Sequence, residues 1–109
     1  MTPPDHGLTG GQLAEIRRIL APFAGRIDSV CLFGSRARGT HGASSDIDLV
    51  LHGPLAEADI DRLRTLFRDS SLPYKVDLHG YDHALNPALR SRFEQEGRIL
   101  FRQDELALE

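Results

Sequence analysis

Residues 30–50 constrain the fold of this chain more than any other stretch, because two apolar runs flank a turn rich in small residues. The first run, residues 30–33, is apolar on both faces, which is typical of a strand buried on both sides. It ends at Gly34-Ser35, and after ten intervening residues Asp46-Ile-Asp48 opens the second run. The stretch predicts two strands joined by a turn, with two acids at the start of the second strand.

The two aspartates of this stretch give the clearest chemical signal. Successive side chains of a strand alternate between its faces, so Asp46 and Asp48 share one face about 7 Å apart, opposite Ile47 and Leu49. Two carboxylates this close repel each other unless a cation lies between them or one is protonated, and magnesium prefers oxygen ligands. The pair indicates a metal site, although a solvated edge strand with alternating polarity gives the same pattern.

The turn after the first run has residues that suit a phosphate-binding loop. Gly34 lets the backbone approach a ligand closely, and Ser35 can open a short helix whose N–H groups point at an anion. Arg36 and Arg38 follow in the same segment. The alternative is a plain strand-to-helix turn in which both arginines are only solvated. The turn is not a P-loop, since no Gly-Lys-Ser/Thr follows Gly34 at the required spacing.

A third acid lies in a later strand. Residues 74–79 alternate, with Val76 and Leu78 on one face and Asp77 and His79 on the other. If this strand lies beside the first acidic strand, Asp77 completes a cluster of three carboxylates. Such a cluster can hold two metal ions about 3.5–4 Å apart and support in-line phosphoryl transfer. The alternative is an aspartate at a strand end that faces water.

The combined pattern resembles a known family. Gly34-Ser35, the ten-residue spacer, Asp46-x-Asp48 and the later Asp77 look like the signature of the minimal nucleotidyltransferases, the small branch of the DNA polymerase beta-like superfamily. The resemblance implies an α/β (α+β) fold, with a small mixed sheet flanked by about three helices. It also implies magnesium-dependent transfer of a nucleoside monophosphate, such as AMP from ATP, to an acceptor hydroxyl.

The same resemblance implies roles for individual residues. Asp46, Asp48 and Asp77 are the expected catalytic and metal-binding residues, and Asp77 is also expected to activate the acceptor. The triphosphate is expected to contact the residues of the turn: Gly34, Ser35, Arg36 and Arg38. Proteins that resemble this one often act as antitoxins beside a HEPN-domain toxin whose tyrosine they modify with AMP, so a HEPN-type partner is implied. A module that neutralises a partner by docking alone remains the alternative.

Length and charge narrow the choice of acceptor. A chain of 109 residues suffices for one domain but not for a separate substrate-binding lobe, which disfavours transfer to a small molecule. The formal net charge of −3 gives no general attraction to polyanions, so a nucleic-acid acceptor is possible but not favoured. The acceptor is therefore either recognised by a shallow surface or is another macromolecule; a protein acceptor is what the family resemblance implies.

Cysteine usage and hydropathy predict a cytoplasmic protein without a membrane segment. Cys31 is the only cysteine, so no internal disulfide can form. The chain begins without an apolar signal segment, and no stretch approaches the roughly 20 apolar residues of a membrane helix. The five histidines lack the spacing of a structural zinc site. His52 and His79 lie on the same strand faces as the acids, and they are expected to neighbour the site or to be solvated rather than to bind a metal. His41 is expected to be solvated, with an approach to the nucleotide as the alternative.

The remaining pattern predicts the elements around the site. A capping box at Thr9 and Gln12 marks the start of the first helix. Further helices are predicted at 55–68, with Ala56 among its buried residues, and at 87–96. Strands are predicted at 27–33, 47–52 and 74–79, and residues 98–102 are predicted to be a short final strand or an extended arm. Residues 1–7 are expected to be a disordered lead, residues 8–103 the domain, and residues 104–109 a frayed acidic tail.

Overall fold

The structure is a computed structural model that describes residues 6–40, 42, 45–84 and 86–107. Within these residues the strands are β1 (Ser29–Phe33), β2 (Ile47–His52), β3 (Val76–Gly80) and β4 (Arg98–Arg102). The α-helices are α1 (Gly10–Leu20), α2 (Gly34–Arg38), α3 (Glu57–Arg68), α4 (Pro87–Glu96) and α5 (Gln103–Ala107). Short 3-10 segments cover Ala21–Arg26 and Tyr81–His83. The predictions made for residues 1–5, for His41 and for residues 108–109 lie outside the described residues.

The four strands form one mixed sheet in the order β3-β2-β1-β4. β1 pairs antiparallel with both β2 and β4, whereas β2 and β3 run parallel. The predicted mixed sheet is therefore confirmed. Because β3 follows β2 in parallel, the connection between them must cross one face of the sheet, and α3 provides that crossing.

Both faces of the sheet are covered. The larger core lies on the face that carries α1, α3 and α5, and its fully buried members include Ile16, Leu20, Leu32, Leu49, Leu63 and Leu106. On the opposite face a smaller cluster joins Cys31, Phe33 and Val50 to Phe93 of α4. The apolar residues on both faces of β1 explain its continuous apolar run.

The helix starts follow their capping residues. Thr9 and Gln12 form the predicted capping box, with the Gln12 N–H donating to Thr9 Oγ1 at 3.1 Å. α4 begins as predicted, because the Asn86 side chain accepts from the N–H of Ala88 at 2.9 Å. α3 begins two residues later than predicted, and Ala56 is exposed rather than buried. Ala56 is the residue before the first turn, and its N–H donates to Asp59 Oδ2 at 3.1 Å.

The frayed tail predicted after residue 103 is wrong for its described part, which forms α5. Leu106 is fully buried in the larger core. The Gln103 side chain donates from Nε2 to the carbonyl of Ala24 at 2.8 Å, and the Gln103 N–H donates to the carbonyl of Asp28 at 3.0 Å. Burial of one leucine and these two hydrogen bonds hold a segment that composition alone marks as an acidic tail.

Truncation of Leu106 tests the contribution of α5 to stability. Leu106→Ala leaves a cavity in the core and is expected to lower the free energy of unfolding by about 2–4 kcal/mol, measured by urea denaturation. The matched control is Ile99→Ala on β4, because Ile99 is 49% exposed and its removal opens no cavity. Equal, small losses for the two variants would show that α5 does not stabilise the fold.

Among residues 6–40, 42, 45–84 and 86–107, none of the helices has both the length and the apolar content that a membrane span needs.

Candidate active site

The acidic residues meet at one end of the sheet because of strand direction. β1 ends at Phe33, while β2 and β3 begin near Asp48 and Asp77. In the pairing register, Asp48 lies opposite Phe33 on one side and opposite Asp77 on the other. Neighbouring strands are about 4.8 Å apart, so the sheet itself fixes Asp48 and Asp77 side by side on one face. Asp46 lies just before β2 and is exposed.

The three carboxylates repel one another in this arrangement. The pKa of Asp48 is raised, first by burial and then by the negative charges of Asp77 and Asp46. His79 and Arg92 act in the opposite direction. His79 Nε2 lies 3.5 Å from Asp77 Oδ2. The site therefore carries an excess of negative charge that its neighbouring cations do not offset.

This donor chemistry fits a hard divalent cation. Carboxylate oxygens are the ligands that Mg²⁺ prefers, and a bound cation removes the repulsion that raises the pKa of Asp48. Within the described part of the chain, however, no three or more acidic, histidine or cysteine side chains already converge in a metal-binding geometry. The predicted cluster is thus a pair fixed by the sheet, Asp48 and Asp77, with Asp46 beside it.

Gly34 lies directly against Asp48. Its φ is +74°, which L side chains rarely adopt, and a Cβ at this position would lie 2.5 Å from Asp48 Oδ2. Glycine is therefore required here both by the backbone conformation and by space. Ser35 follows in the first turn of α2 and is half-buried. At this end of the sheet, the Gly34 backbone, which carries no side chain, lies next to the carboxylate pair. This is the combination predicted for a triphosphate site.

Arg36 occupies a different position from the one expected from the motif. It is 1% exposed and is the only buried charged or polar side chain among the described residues. Its Nε and Nη2 donate to the carbonyl of Ser45 at 3.1 and 2.8 Å, and its Nη1 donates to the carbonyl of His6 at 2.9 Å. Its guanidinium carbon lies 4.4 Å from the centre of the Tyr74 ring. These contacts favour a structural role over the predicted phosphate contact.

Arg38 remains at the surface. Its guanidinium forms an ion pair with Glu96 of α4, and Glu96 also accepts from Arg92 Nε at 3.2 Å. About half of the Arg38 side chain is exposed. A phosphate contact by Arg38 stays a prediction, and it would require exchange of the Glu96 carboxylate for a phosphate.

Comparison with known proteins identifies the family. Residues 13–100 match the nucleotidyltransferase domain family. This chain belongs to that family. A protein of Methanocaldococcus jannaschii with the provisional name protein adenylyltransferase is 28% identical over 93 residues, which are 79% of this chain and 90% of that protein.

Solved structures share the fold of this nucleotidyltransferase. A toxin–antitoxin structure with AMP-PNP superposes with a TM-score of 0.68 at 24% identity, covering 87% of this chain and 80% of that chain. A mutant of the toxin–antitoxin MntA–HpeT, in which two aspartates separated by one residue are glutamates, gives a TM-score of 0.65 at 20% identity, with 87% and 80% coverage. The polymerase beta-like nucleotidyltransferase fold inferred from the motif is therefore confirmed.

Sequence reasoning missed two contributions to the nucleotidyltransferase site. Arg92 of α4 lies close enough to lower the pKa of Asp48, although 44 positions separate the two residues in the numbering. Phe93 packs against the rings of both Phe33 and His79, with centroids 4.7 and 5.5 Å away. The helical period of α4 shows only that one of its faces is buried. It does not show that this face covers the acidic end of the sheet.

Removal of the Arg36 side-chain charge is expected to weaken the fold and the site together. Arg36→Met leaves the carbonyls of Ser45 and His6 without these donors, which is expected to lower the free energy of unfolding by about 1–3 kcal/mol. Because Ser45 adjoins Asp46, the nucleotidyl-transfer rate is also expected to fall. The measurements are urea unfolding and transfer rate. The control is Arg18→Met, at an exposed arginine that pairs with Glu15. A loss as small as that of the control would contradict the structural role.

Proposed function

We propose that this nucleotidyltransferase transfers AMP from ATP, with Mg²⁺, to a tyrosine hydroxyl of a HEPN-type toxin and thereby acts as its antitoxin. The observation that carries the catalytic part is the register pair Asp48–Asp77 with the Gly34 backbone against Asp48. The acceptor is supported by the relatives, since one is named as a protein adenylyltransferase and others are parts of toxin–antitoxin complexes. The HEPN class of the partner comes from the motif resemblance alone.

Each residue of the site has a distinct role in this proposal. The backbone at Gly34 and Ser35 binds the triphosphate, since no side chain at Gly34 blocks the approach. Asp46, Asp48 and Asp77 hold Mg²⁺, which when bound neutralises charge on the phosphates. Asp77 accepts the proton of the acceptor hydroxyl, because it lies at the exposed edge of the carboxylate pair. The chain's own contribution is therefore positioning and charge complementarity.

Transfer of label from α-labelled ATP tests the proposal. The purified protein is incubated with labelled ATP, Mg²⁺ and a lysate of its source organism. The matched variants are Asp48→Asn at the site and Asp104→Asn in α5, which adjoins β4 at the end of the sheet away from Asp48. The expected product is a labelled species that is destroyed by protease and absent with Asp48→Asn but retained with Asp104→Asn.

The other outcomes separate the alternatives. A labelled product destroyed by ribonuclease would replace the protein acceptor by RNA. Absence of label with ATP and with the other three nucleotides would overturn catalysis and leave the docking module. If the toxin partner is then identified, neutralisation of that toxin by the Asp48→Asn variant would likewise show that docking alone is sufficient.

A further inference from the structure

Arg92 of α4 lies at the candidate active site, although no motif of the sequence marks it. The next residue, Phe93, is buried against Phe33 and His79, with ring centroids 4.7 and 5.5 Å away. Phe33 ends β1 directly opposite Asp48 in the sheet register. α4 therefore covers the acidic end of the sheet, and Arg92 lies close enough to Asp48 to oppose the rise of its pKa.

Ion pairs link Arg92 to α2. Arg92 Nε donates to Glu96 Oε2 at 3.2 Å, and the other carboxylate oxygen of Glu96 accepts from Arg38 Nη1 of α2. Glu96 thus joins the two arginines across the space between α2 and α4. Because α2 directly follows β1, the Arg92 guanidinium is held toward the β1 side of Asp48, whereas β3 lies on the other side of β2.

Helix stability alone explains the Arg92–Glu96 pair poorly. A basic residue four positions before an acidic one is the less favourable orientation of such a pair, and exposed ion pairs contribute little to stability. The Arg92 side chain is 54% exposed, and its Nη1 and Nη2 make no hydrogen bond within the described part of the chain. These two nitrogens are therefore available to a ligand.

The charge of the site calls for a cation at this position. The three carboxylates make the site negative, and the chain carries a formal net charge of −3. On the proposed function, on which this inference rests, the α-phosphorus lies near Asp77, which accepts the proton of the attacking hydroxyl. The two outer phosphates then lie toward Gly34 and α2, where Arg92 is held. The planar fork of N–H donors of an arginine fits phosphate oxygens.

We propose that Arg92 binds the β- and γ-phosphates of the nucleoside triphosphate, and that Glu96 positions its guanidinium for this contact. Glu96 occupies Nε, the donor nearest the main chain, and leaves the two terminal nitrogens to the ligand. Both phosphates belong to the pyrophosphate that leaves during transfer, so AMP cannot make this contact. Arg92 is thus a nucleotide-binding residue that distinguishes a triphosphate from a monophosphate.

Equilibrium binding of nucleotides tests the role of Arg92 directly. The probes are ATP, AMP and inorganic pyrophosphate, each with Mg²⁺, measured by isothermal titration calorimetry. The variant is Arg92→Gln, which removes the charge. Its control is Arg62→Gln, at an exposed arginine of α3, which covers the opposite face of the sheet. Arg92→Lys is a second variant that keeps the charge but not the planar fork, and thermal unfolding checks that each variant is folded.

Arg92→Gln is expected to weaken the binding of ATP and of pyrophosphate about tenfold, because it removes charge-assisted hydrogen bonds to phosphate. Arg92→Lys should lie between the wild type and Arg92→Gln. The AMP affinity of each variant and the ATP affinity of Arg62→Gln should change by less than about twofold. Unchanged ATP binding by Arg92→Gln would overturn the assignment, and equal losses for ATP and AMP would overturn the outer phosphates as its ligand.

Failure of the Arg92 assignment and failure of the proposed function are distinguishable. If label from ATP reaches a protein but Arg92→Gln has the wild-type KM for ATP, AMP transfer stands and the role of Arg92 is wrong. If ATP binding depends on Arg92 but no product is labelled, Arg92 binds the triphosphate and AMP transfer is wrong. When both are correct, the KM for ATP rises about tenfold in Arg92→Gln while kcat changes less, because the ground state and the transition state share the contact.

Discussion

Replacement of Asp48 by asparagine is expected to lower nucleotidyl transfer by roughly 10²–10³-fold or more, because it removes the central carboxylate of the site. Asp48 lies between Phe33 and Asp77 in the sheet, and asparagine has nearly the same shape. The fold should therefore remain intact. The measurements are the rate of AMP transfer and the far-UV circular dichroism spectrum, with Asp104→Asn as the matched control. Transfer near the wild-type rate would show that Asp48 is not catalytic.

The same variant is expected to be at least as stable as the wild type at neutral pH without a divalent cation. Because the pKa of Asp48 is raised in the folded state, the folded protein holds this proton more tightly than the unfolded chain. Ionisation therefore lowers stability as pH rises from the ordinary carboxylate range through the raised pKa. The gain in melting temperature of Asp48→Asn should vanish below that range. Added Mg²⁺ should raise the melting temperature of the wild type more than that of the variant.

Replacement of Gly34 by alanine is expected to abolish transfer and to destabilise the fold. An alanine with φ near +74° costs about 1–2 kcal/mol, and its Cβ would force Asp48 to move. The matched control is Gly10→Ala at the start of α1, where an added Cβ meets nothing within 4 Å. That control should keep full activity and equal or greater stability. An active Gly34→Ala protein would show that the close approach of this backbone to Asp48 is not needed for catalysis.

Much of the fold can be predicted from the local pattern of the sequence. The alternation in 47–52 and 74–79 and the capping residues Thr9 and Asn86 each act over a few residues, so they can be recognised without the tertiary structure. The observed β2 and α4 have the predicted bounds. The acids Asp46 and Asp48 are likewise recognisable because their spacing alone places them on one face of a strand.

What could not be predicted depends on contacts between distant segments. The adjacency of Asp77 to Asp48 requires parallel pairing of β2 and β3, and nothing in either strand encodes its partner. The charge of Arg36 suggests exposure, whereas the structure buries it against carbonyls 9 and 30 positions away. The sequence pattern does not predict α5, because its one buried leucine, Leu106, cannot by itself form the apolar repeat of a helix.

The pairing of Asp48 with Asp77 has a consequence for how the chain finds its fold. If β2 slipped by one residue against its neighbours, Asp48 would turn into the apolar face beneath α1 and α3, and Leu49 would turn to the opposite face, at the acidic end of the sheet. A buried, unpaired carboxylate is among the most unfavourable groups in a protein interior. The aspartates that make the site therefore also destabilise the wrong strand alignments. Selection for activity at this sheet end simultaneously maintains selection against misfolded forms.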